Sequence, residues 1–220
     1  LEWQRSKWIK PIQVYLKYSE RCMAKIADLI ISDNQGIEDY LKVEYGKISS
    51  TVIAYGTNPI VQGQTFDQTW FDKQNIQSKN YYLIVGRFVP ENNYEAIIRA
   101  FMASDTKRDL VIVTNHAGNP YFDALRQATG FDQDKRIKFV GTVYDKALLT
   151  AIRQKAFAYL HGHAVGGTNP GLLEAMSSTD LNLVFDVSFN RNVALSSALY
   201  WQKDTLTDLI AEAEKLSLSE

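Results

Sequence analysis

The sequence predicts an α/β protein with a doubly wound parallel sheet. Short apolar runs recur along residues 81–185, and most are near-continuous in hydrophobicity, as expected for strands covered on both faces. Helical patterns separate these runs, and this alternation is typical of a parallel sheet whose ligands bind at the carboxyl ends of the strands. The predicted strands are 81–85, 110–113, 136–140, 157–160 and 181–185.

Local signals support the helices between and after these strands. Asn119 and Pro120 are suited to the start of one helix and Gly130 to its end, and Asp145 is suited to the N-cap of the next. Apolar residues at helical spacing mark the faces that we expect to be buried. These residues are Ala96, Ile97, Ala100 and Phe101; Phe122, Leu125 and Ala128; Leu148, Leu149 and Ile152; and Leu206, Leu209, Ile210, Ala213 and Leu216.

Residues 1–58 predict a smaller unit at the start of the chain. Pro11 fits the first turn of a helix, and two short apolar strands, 28–32 and 51–55, flank a second helix that Gly46 ends as a left-handed cap. Such a βαβ unit is expected to have parallel strands and a right-handed crossover. The face of the first helix predicted to be buried consists of Ile12, Tyr15, Leu16, Ser19, Met23, Ile26 and Ala27.

A change in pattern predicts the division between two domains. From Gly56 to Asn80 the periodicity fades, which is unusual for a loop inside a compact domain. We therefore interpret residues 59–80 as a hinge and residues 81–220 as the larger domain.

Composition excludes several classes of protein. The 220 residues are 45% hydrophobic and 22% charged, as in globular proteins, and the net charge of −1 argues against a dedicated nucleic-acid binder. Cys22 is the only cysteine, and the three histidines lack the paired spacing of a structural metal site. No apolar run approaches the roughly 20 residues that span a bilayer. We expect a cytoplasmic protein that needs no metal and no other cofactor.

The first helix has a basic face with tryptophan residues among the charges. The cations are Arg5, Lys7, Lys10, Lys17, Arg21 and Lys25, and the tryptophans are Trp3 and Trp8. This mixture fits peripheral contact with an anionic membrane surface, which for a cytoplasmic protein is the inner face of the membrane. A solvated helix face is the alternative interpretation of the same pattern.

The most informative stretch, residues 161–176, combines a strand end, a glycine-rich turn and a helix start. Gly166, Gly167 and Gly171 lack side chains where a ligand would approach the backbone, and the N–H groups of the new helix attract an anion. Glu174 lies one turn into that helix, where it can accept hydrogen bonds from a sugar hydroxyl. The pattern predicts a site for a phosphate with a sugar attached. An ordinary strand-to-helix turn is the alternative.

Arg87 is a second candidate because it directly follows the predicted strand 81–85. Its planar guanidinium can bind two phosphate oxygens at once. Pairing with Glu91 or Glu95 is the alternative interpretation. Neither the dinucleotide motif G-x-G-x-x-G nor the phosphate loop G-x-x-x-x-G-K-[ST] occurs, which weakens dehydrogenase and P-loop NTPase interpretations.

Two further strand ends contribute candidates. His116, His161 and His163 could donate to a phosphate or act as acid or base, although a lone histidine such as His116 is more often a hydrogen-bonded loop residue. Thr142 and Val143 offer backbone groups and an apolar side chain where a nucleobase could lie.

Three segments carry a family resemblance: Gly86-Arg-Phe-Val-Pro-Glu91, Gly141-Thr-Val143 and the run from Gly166 to Met176. They resemble the donor-binding half of the retaining glycosyltransferases with the GT-B fold. The closest resemblance is to bacterial rhamnosyltransferases of capsular and exopolysaccharide assembly, and it covers nearly the whole chain. It implies that residues 1–58 are the end of an acceptor-side domain whose larger part is absent.

The resemblance also implies roles for individual residues. Glu174 would hold a ribose or deoxyribose hydroxyl, Arg87 the diphosphate, and the backbone of residues 167–171 the phosphates and the transferred sugar. The full donor-binding set is Gly86, Arg87, Asn92, Thr142, Val143, His163, Gly166, Gly167, Thr168, Asn169, Gly171, Leu172 and Glu174.

Two residues depart from the family pattern. Asn92 stands where the family has a phosphate-binding lysine, and Gly166 stands where it has a glutamate near the transferred sugar. The diphosphate therefore has one cationic partner fewer than in the family pattern. Groups other than this glutamate must contact the sugar. A 6-deoxy sugar, with one hydroxyl fewer, would suit a less polar pocket.

The expected function is transfer of a sugar, with L-rhamnose favoured, from a nucleoside diphosphate-sugar to a lipid-linked saccharide. A non-catalytic module that binds or senses nucleotide-sugars is an alternative from another class. An epimerase of sugar nucleotides on the same fold is the third interpretation.

Overall fold

The computed structural model describes residues 2–5, 7–57 and 65–216. These residues contain a two-stranded parallel sheet in the first part of the chain and a six-stranded parallel sheet in the second. The predicted fold class, a doubly wound parallel sheet preceded by a βαβ unit, is confirmed.

The first unit is a βαβ element preceded by a long helix. Its elements are α1 (Lys10–Ile26), β1 (Ile30–Ser32), α2 (Gln35–Tyr45) and β2 (Ser50–Val52). The two strands pair in parallel, as the crossover rule predicts. Gly46 ends α2 with φ 77° and ψ −142°. The positive φ that favours glycine is present, but the residue is not in the left-handed helical conformation that the sequence analysis expected.

The face of α1 that the sequence predicts as buried is largely exposed, and that prediction is wrong. The exposed fractions are 67% for Tyr15, 50% for Met23 and 80% for Ile26. Ala24, which lies on a different row of the helix, is the residue of α1 that is buried.

Polar contacts explain this orientation of α1. Lys17 and Glu20 face α2, where the Tyr40 hydroxyl bonds to both side chains. The Tyr45 hydroxyl donates to Glu20 at 2.6 Å. A partly buried carboxylate and ammonium with these partners are stabilised. The helix is therefore fixed by its polar row, and its apolar row is left on the surface.

The second unit is a large α/β element. Its helices are α3 (Thr69–Lys73), α4 (Tyr94–Ala103), α5 (Pro120–Thr129), α6 (Lys146–Gln154), α7 (Pro170–Met176), α8 (Ser188–Ala194) and α9 (Leu206–Ala213). Its strands are β3 (Tyr81–Val85), β4 (Asp109–Val113), β5 (Ile137–Gly141), β6 (Ala158–His161), β7 (Asn182–Phe185) and β8 (Leu199–Trp201). The strand order is β5-β4-β3-β6-β7-β8, so the direction of winding reverses between β3 and β6.

Burial on both faces of the large sheet explains the continuous apolar runs. Tyr82 and Ile84 of β3 lie in the core on one face, and Tyr81 and Leu83 lie in the core on the other. A strand between two helical layers has no face for polar side chains, so alternation disappears from the sequence.

Some elements of the second unit are absent from the sequence prediction. The strand β8 and the helices α3 and α8 are short, and short elements give little periodicity. Helix α3 falls in the segment interpreted as a hinge, and Phe71 and Ile76 of this segment pack in the core beside Tyr81. Residues 58–64 of the proposed hinge lie outside the described residues.

Two loops meet closely where the winding reverses. A side chain at Gly162, after β6, would place its Cβ 2.2 Å from the carbonyl oxygen of Asn92 in the loop after β3. The Asn93 side chain donates to the Gly162 carbonyl at 2.8 Å, and the Ala164 N–H donates to the Glu91 carbonyl at 2.9 Å. The two loops are therefore held together as one structure.

We predict that Gly162→Ala destabilises the protein by about 1–3 kcal/mol, because the added methyl group must displace backbone. The measurement is the free energy of unfolding in urea. Gly56→Ala is the matched control, since a Cβ at Gly56 meets nothing within 4 Å. Equal stability of the two variants would contradict the close contact between the loops.

Candidate ligand-binding site

A cavity of about 310 Å³ lies between the carboxyl ends of β3 and β6. Sheets of this kind bind their ligands at this point, where the strand order reverses. The lining residues are Ile84, Val85, Gly86, Arg87, Asn92, Tyr94, Leu149, Arg153, Tyr159, Leu160, His161, Gly162, His163, Asn169, Gly171 and Glu174.

The structure brings many of the predicted donor-binding residues to this one cavity. Those at its wall are Gly86, Arg87, Asn92, His163, Asn169, Gly171 and Glu174. Arg87 is exposed at the cavity, and Glu95, one of its proposed partners, instead pairs with Arg99 at 2.9 Å.

Thr142 and Val143 line a neighbouring cavity of about 530 Å³. Gly86 and Arg87 line both cavities, so the two spaces are adjacent. Tyr144 adds an aromatic ring that is 88% exposed, which suits stacking with a flat ligand.

The glycine-rich turn faces the first unit. The Thr168 hydroxyl donates to the Asp33 carbonyl at 2.8 Å, and a Cβ at Gly167 would lie 2.6 Å from the Asp33 carboxylate. Gly166 has φ 131°, which favours glycine, and lies beside the His163 ring. Leu172 is wholly buried, so its side chain lies in the core and does not line the cavity.

The start of α7 differs from the expected anion site. Asn169 caps the helix, and its Oδ1 accepts the N–H of Gly171 at 2.8 Å. The N–H groups of Leu172 and Leu173 bond to the Asn169 carbonyl. These first-turn donors are thus occupied within the protein, contrary to the expectation that they attract an anion. Pro170 has no N–H to offer.

Glu174 has a partner that the sequence analysis missed. The Arg153 Nη2 atom of α6 lies 2.6 Å from Glu174 Oε2. The Arg153 side chain is only 6% exposed, and its Nε has no hydrogen-bond partner among the described residues. Arg153 lies four residues after Leu149, in line with the apolar stripe of α6. A charged residue at that spacing was the signal in the sequence that Arg153 is buried.

The histidines of the site are neutral at physiological pH. Burial, with smaller effects of Arg5 and Arg87, lowers the pKa of His163 to about 4. Burial and the neighbouring His163 lower the pKa of His161 to about 3. Desolvation disfavours the imidazolium form. His116 lies elsewhere, against Phe122 and Phe139.

Two cations of the first unit reach the same region. A cavity of about 170 Å³ is lined by Arg5 and Lys7 on one side and by Arg87, Glu91 and His163 on the other. Three basic side chains from two units therefore surround one space. Arg5 and Lys7 both pair with Glu2, at 2.9 and 2.7 Å, so three cations and the two carboxylates of Glu2 and Glu91 leave one net positive charge, which favours an anionic ligand.

Within residues 2–5, 7–57 and 65–216, no group of His, Cys, Asp and Glu is arranged to hold a metal ion. In that same part of the chain, no helix combines the length and apolar character needed to cross a membrane.

Sequence comparison identifies one family model. A model described as a domain of unknown function (DUF1972) matches residues 1–58, which contain the first unit. Among curated proteins, no sequence matches the chain significantly.

Solved structures share the fold over most of the chain. HepE from Anabaena, in complex with UDP and glucose, has a TM-score of 0.74 and 16% identity, covering 92% of this chain and 57% of its own. Sucrose-phosphate synthase from Thermosynechococcus elongatus has a TM-score of 0.71 and 16% identity, covering 96% and 55%. A UDP-forming alpha,alpha-trehalose-phosphate synthase from Burkholderia vietnamiensis has a TM-score of 0.69 and 14% identity, covering 96% and 60%.

The chain thus spans less than two thirds of the length of these structures. Its fold is the Rossmann-like arrangement of the GT-B class, as the sequence resemblance implied.

We predict that Glu174→Gln lowers the free energy of unfolding by about 1–3 kcal/mol, because the buried Arg153 guanidinium loses its countercharge. Urea denaturation measures the change. Glu95→Gln is the matched control, since its partner Arg99 is half exposed and such pairs contribute little.

The double variant Arg153→Met, Glu174→Gln should be more stable than Glu174→Gln alone, because no buried charge is left unpaired. A Glu174→Gln protein as stable as the control would mean that the pair has no structural role.

Proposed function

We propose that this chain forms the donor-binding part of a retaining glycosyltransferase. The proposed reaction transfers L-rhamnose from a nucleoside diphosphate-sugar to a lipid-linked saccharide in bacterial surface polysaccharide synthesis. The main support is the cavity at the β3–β6 reversal, lined by Arg87 and Glu174, in a fold shared with a UDP-bound structure. The rhamnosyl assignment rests on the sequence resemblance and on Gly166, which removes a carboxylate from the sugar pocket.

The diphosphate is assigned to the basic side chains around the cavity. Arg87 offers two parallel N–H donors, which match phosphate oxygens. Arg5 and Lys7 lie across the adjoining space and, because both pair with Glu2, add one net positive charge there. Charge from both units would be brought to one ligand, and no metal is part of the proposal.

The base of the nucleoside is assigned to the cavity of about 530 Å³, and its ribose to the adjacent cavity of about 310 Å³. Val143 and Tyr144 offer an apolar side chain and an exposed ring for the base. Arg153 engages Oε2 of Glu174, which leaves Oε1 to accept a hydrogen bond from a ribose hydroxyl. The ion pair therefore orients the carboxylate for this contact.

The chemistry assigned to the chain is positioning and charge stabilisation. The bond between the anomeric carbon and the diphosphate oxygen breaks, and its electron pair leaves with the diphosphate. The acceptor hydroxyl oxygen forms the new bond to the same carbon, and its proton passes to the departing diphosphate oxygen. Arg87 and the facing cations stabilise the departing charge, while both reactants are held in reactive geometry.

A peripheral position at the inner face of the membrane is part of the proposal. Helix α1 exposes Tyr15 and Tyr18 at 67% and 65%, with Lys10, Arg21 and Lys25 exposed beside them. Aromatic and basic side chains on one helix suit an anionic lipid surface. A lipid-linked acceptor would be reached from this position.

Turnover by the full-length protein that contains this chain tests the activity. The assay supplies dTDP-L-rhamnose or UDP-glucose with a lipid-linked saccharide and measures release of nucleoside diphosphate coupled to glycosyl transfer. Binding without transfer would favour the non-catalytic module instead.

We predict that Arg87→Ala weakens binding of the nucleoside diphosphate about ten- to hundredfold, while the nucleoside alone binds unchanged. The reason is loss of a charge-assisted contact, which is worth about 1.5–3 kcal/mol. Titration calorimetry with dTDP, UDP and their nucleosides provides the measurement. Arg126→Ala, which removes an exposed cation paired with Asp123, is the control. Equal weakening of both ligands would place Arg87 away from the phosphates.

A further inference from the structure

Asn92 fixes the proton on the neighbouring His163 ring. The Asn92 Nδ2 donates to the Arg87 carbonyl at 2.7 Å, and Asn92 Oδ1 lies 2.9 Å from His163 Nδ1. A carbonyl can only accept, so the amide nitrogen must face Arg87 and the amide oxygen must face the histidine. The amide oxygen can only accept as well. His163 Nδ1 therefore carries the hydrogen and donates to Asn92.

The second ring nitrogen of His163 is consequently an acceptor. A neutral imidazole with its hydrogen on Nδ1 has a lone pair on Nε2. Burial, Arg5 and Arg87 disfavour protonation of the ring, and Glu91 opposes them with a smaller effect. An anionic phosphate needs a donor, which this nitrogen does not provide. A hydroxyl group, which can donate, is a suitable partner.

Gly166 leaves space beside this nitrogen. A Cβ at Gly166 would lie 3.3 Å from His163 Nε2, and no side chain occupies that direction. The φ of 131° disfavours any larger residue there. His163 Nε2 therefore lies beside Gly166, the position at which the resembled family has a glutamate and this chain has no side chain.

His161, which also lines the cavity, likewise has an asparagine side chain as a neighbour. The Asn190 Nδ2 donates to the carbonyls of Phe185 and His163 at 2.9 and 3.0 Å, so its oxygen is left for the His161 ring. His161 Nε2 has no hydrogen-bond partner among the described residues. The cavity wall after β6 thus contains two neutral imidazoles, each oriented by an asparagine.

We propose that His163 is a sugar-binding residue whose Nε2 accepts a hydrogen bond from a hydroxyl of the transferred sugar, and that Asn92 is the positioning residue that selects this tautomer. The inference rests on the proposed function and deepens it. It assigns His163 to the sugar and not to the diphosphate. It also gives Asn92 a role that a lysine could not fill, since lysine has no acceptor for the Nδ1 hydrogen.

The first experiment observes the tautomer directly. The chain contains three histidines, so ¹⁵N-histidine labelling gives few, assignable ring signals in NMR spectra. We expect His163 to have a protonated Nδ1 and an unprotonated Nε2, and Asn92→Leu to give a mixture of tautomers. The Nε2 signal should shift with dTDP-L-rhamnose or UDP-glucose, but little with dTDP or UDP. A protonated Nε2 in the wild-type protein would overturn the inference.

The second experiment separates sugar contact from phosphate contact by calorimetry. His163→Phe keeps a planar ring without an acceptor and should weaken binding of the sugar nucleotide about three- to tenfold, while the matching diphosphate is unaffected. His163→Gln, which returns an oxygen acceptor near the Nε2 position, should restore part of this loss. Equal loss for both ligands, or no loss for either, would overturn the role of His163.

Failure of the inference can be told apart from failure of the proposed function. If the wild-type chain binds neither dTDP nor UDP, the nucleotide site itself has been misassigned. If it binds a diphosphate normally and only the differences at His163 are missing, the sugar contact alone is wrong.

Discussion

The contact between Gly162 and Asn92 determines the geometry of the whole site. It brings the loop after β6 against the loop after β3 with no side chain between them. The bonds from Asn93 and Ala164 complete the junction. Because Arg87 and His163 lie on opposite sides of this junction, their separation is set by backbone contacts. The site is therefore built on the rigid edge of a sheet, and a small backbone shift there would move both residues.

The sequence predicted most of the large sheet for a clear physical reason. Strands such as β3 are buried on both faces, so their apolar runs depend little on what packs against them. The orientation of α1 could not be predicted in this way. It depends on hydroxyl groups of Tyr40 and Tyr45 that satisfy Lys17 and Glu20. Contacts between separate elements leave no periodic signal.

The candidate site was predictable in part. Motifs at strand ends identified Arg87, Glu174 and His163, since parallel strands deliver their carboxyl ends to one edge. The glycine-rich motif does not identify Arg153 as the partner of Glu174, because the signal for its burial lies on α6, where Arg153 follows Leu149 at i+4. The N-cap at Asn169 was also missed as a competitor for the helix donors. Side-chain partners such as these are decided by tertiary packing.

The contact between the first unit and the glycine-rich turn makes the two units interdependent. Thr168 donates to the Asp33 carbonyl, and Asn34 reaches both Thr168 and the carbonyl of Phe189. The segment directly before Asn169, which lines the cavity, is thus also a contact surface between the units. Thermodynamic reciprocity then applies. If a bound ligand strengthens the contact between the units, that contact strengthens binding of the ligand by the same factor.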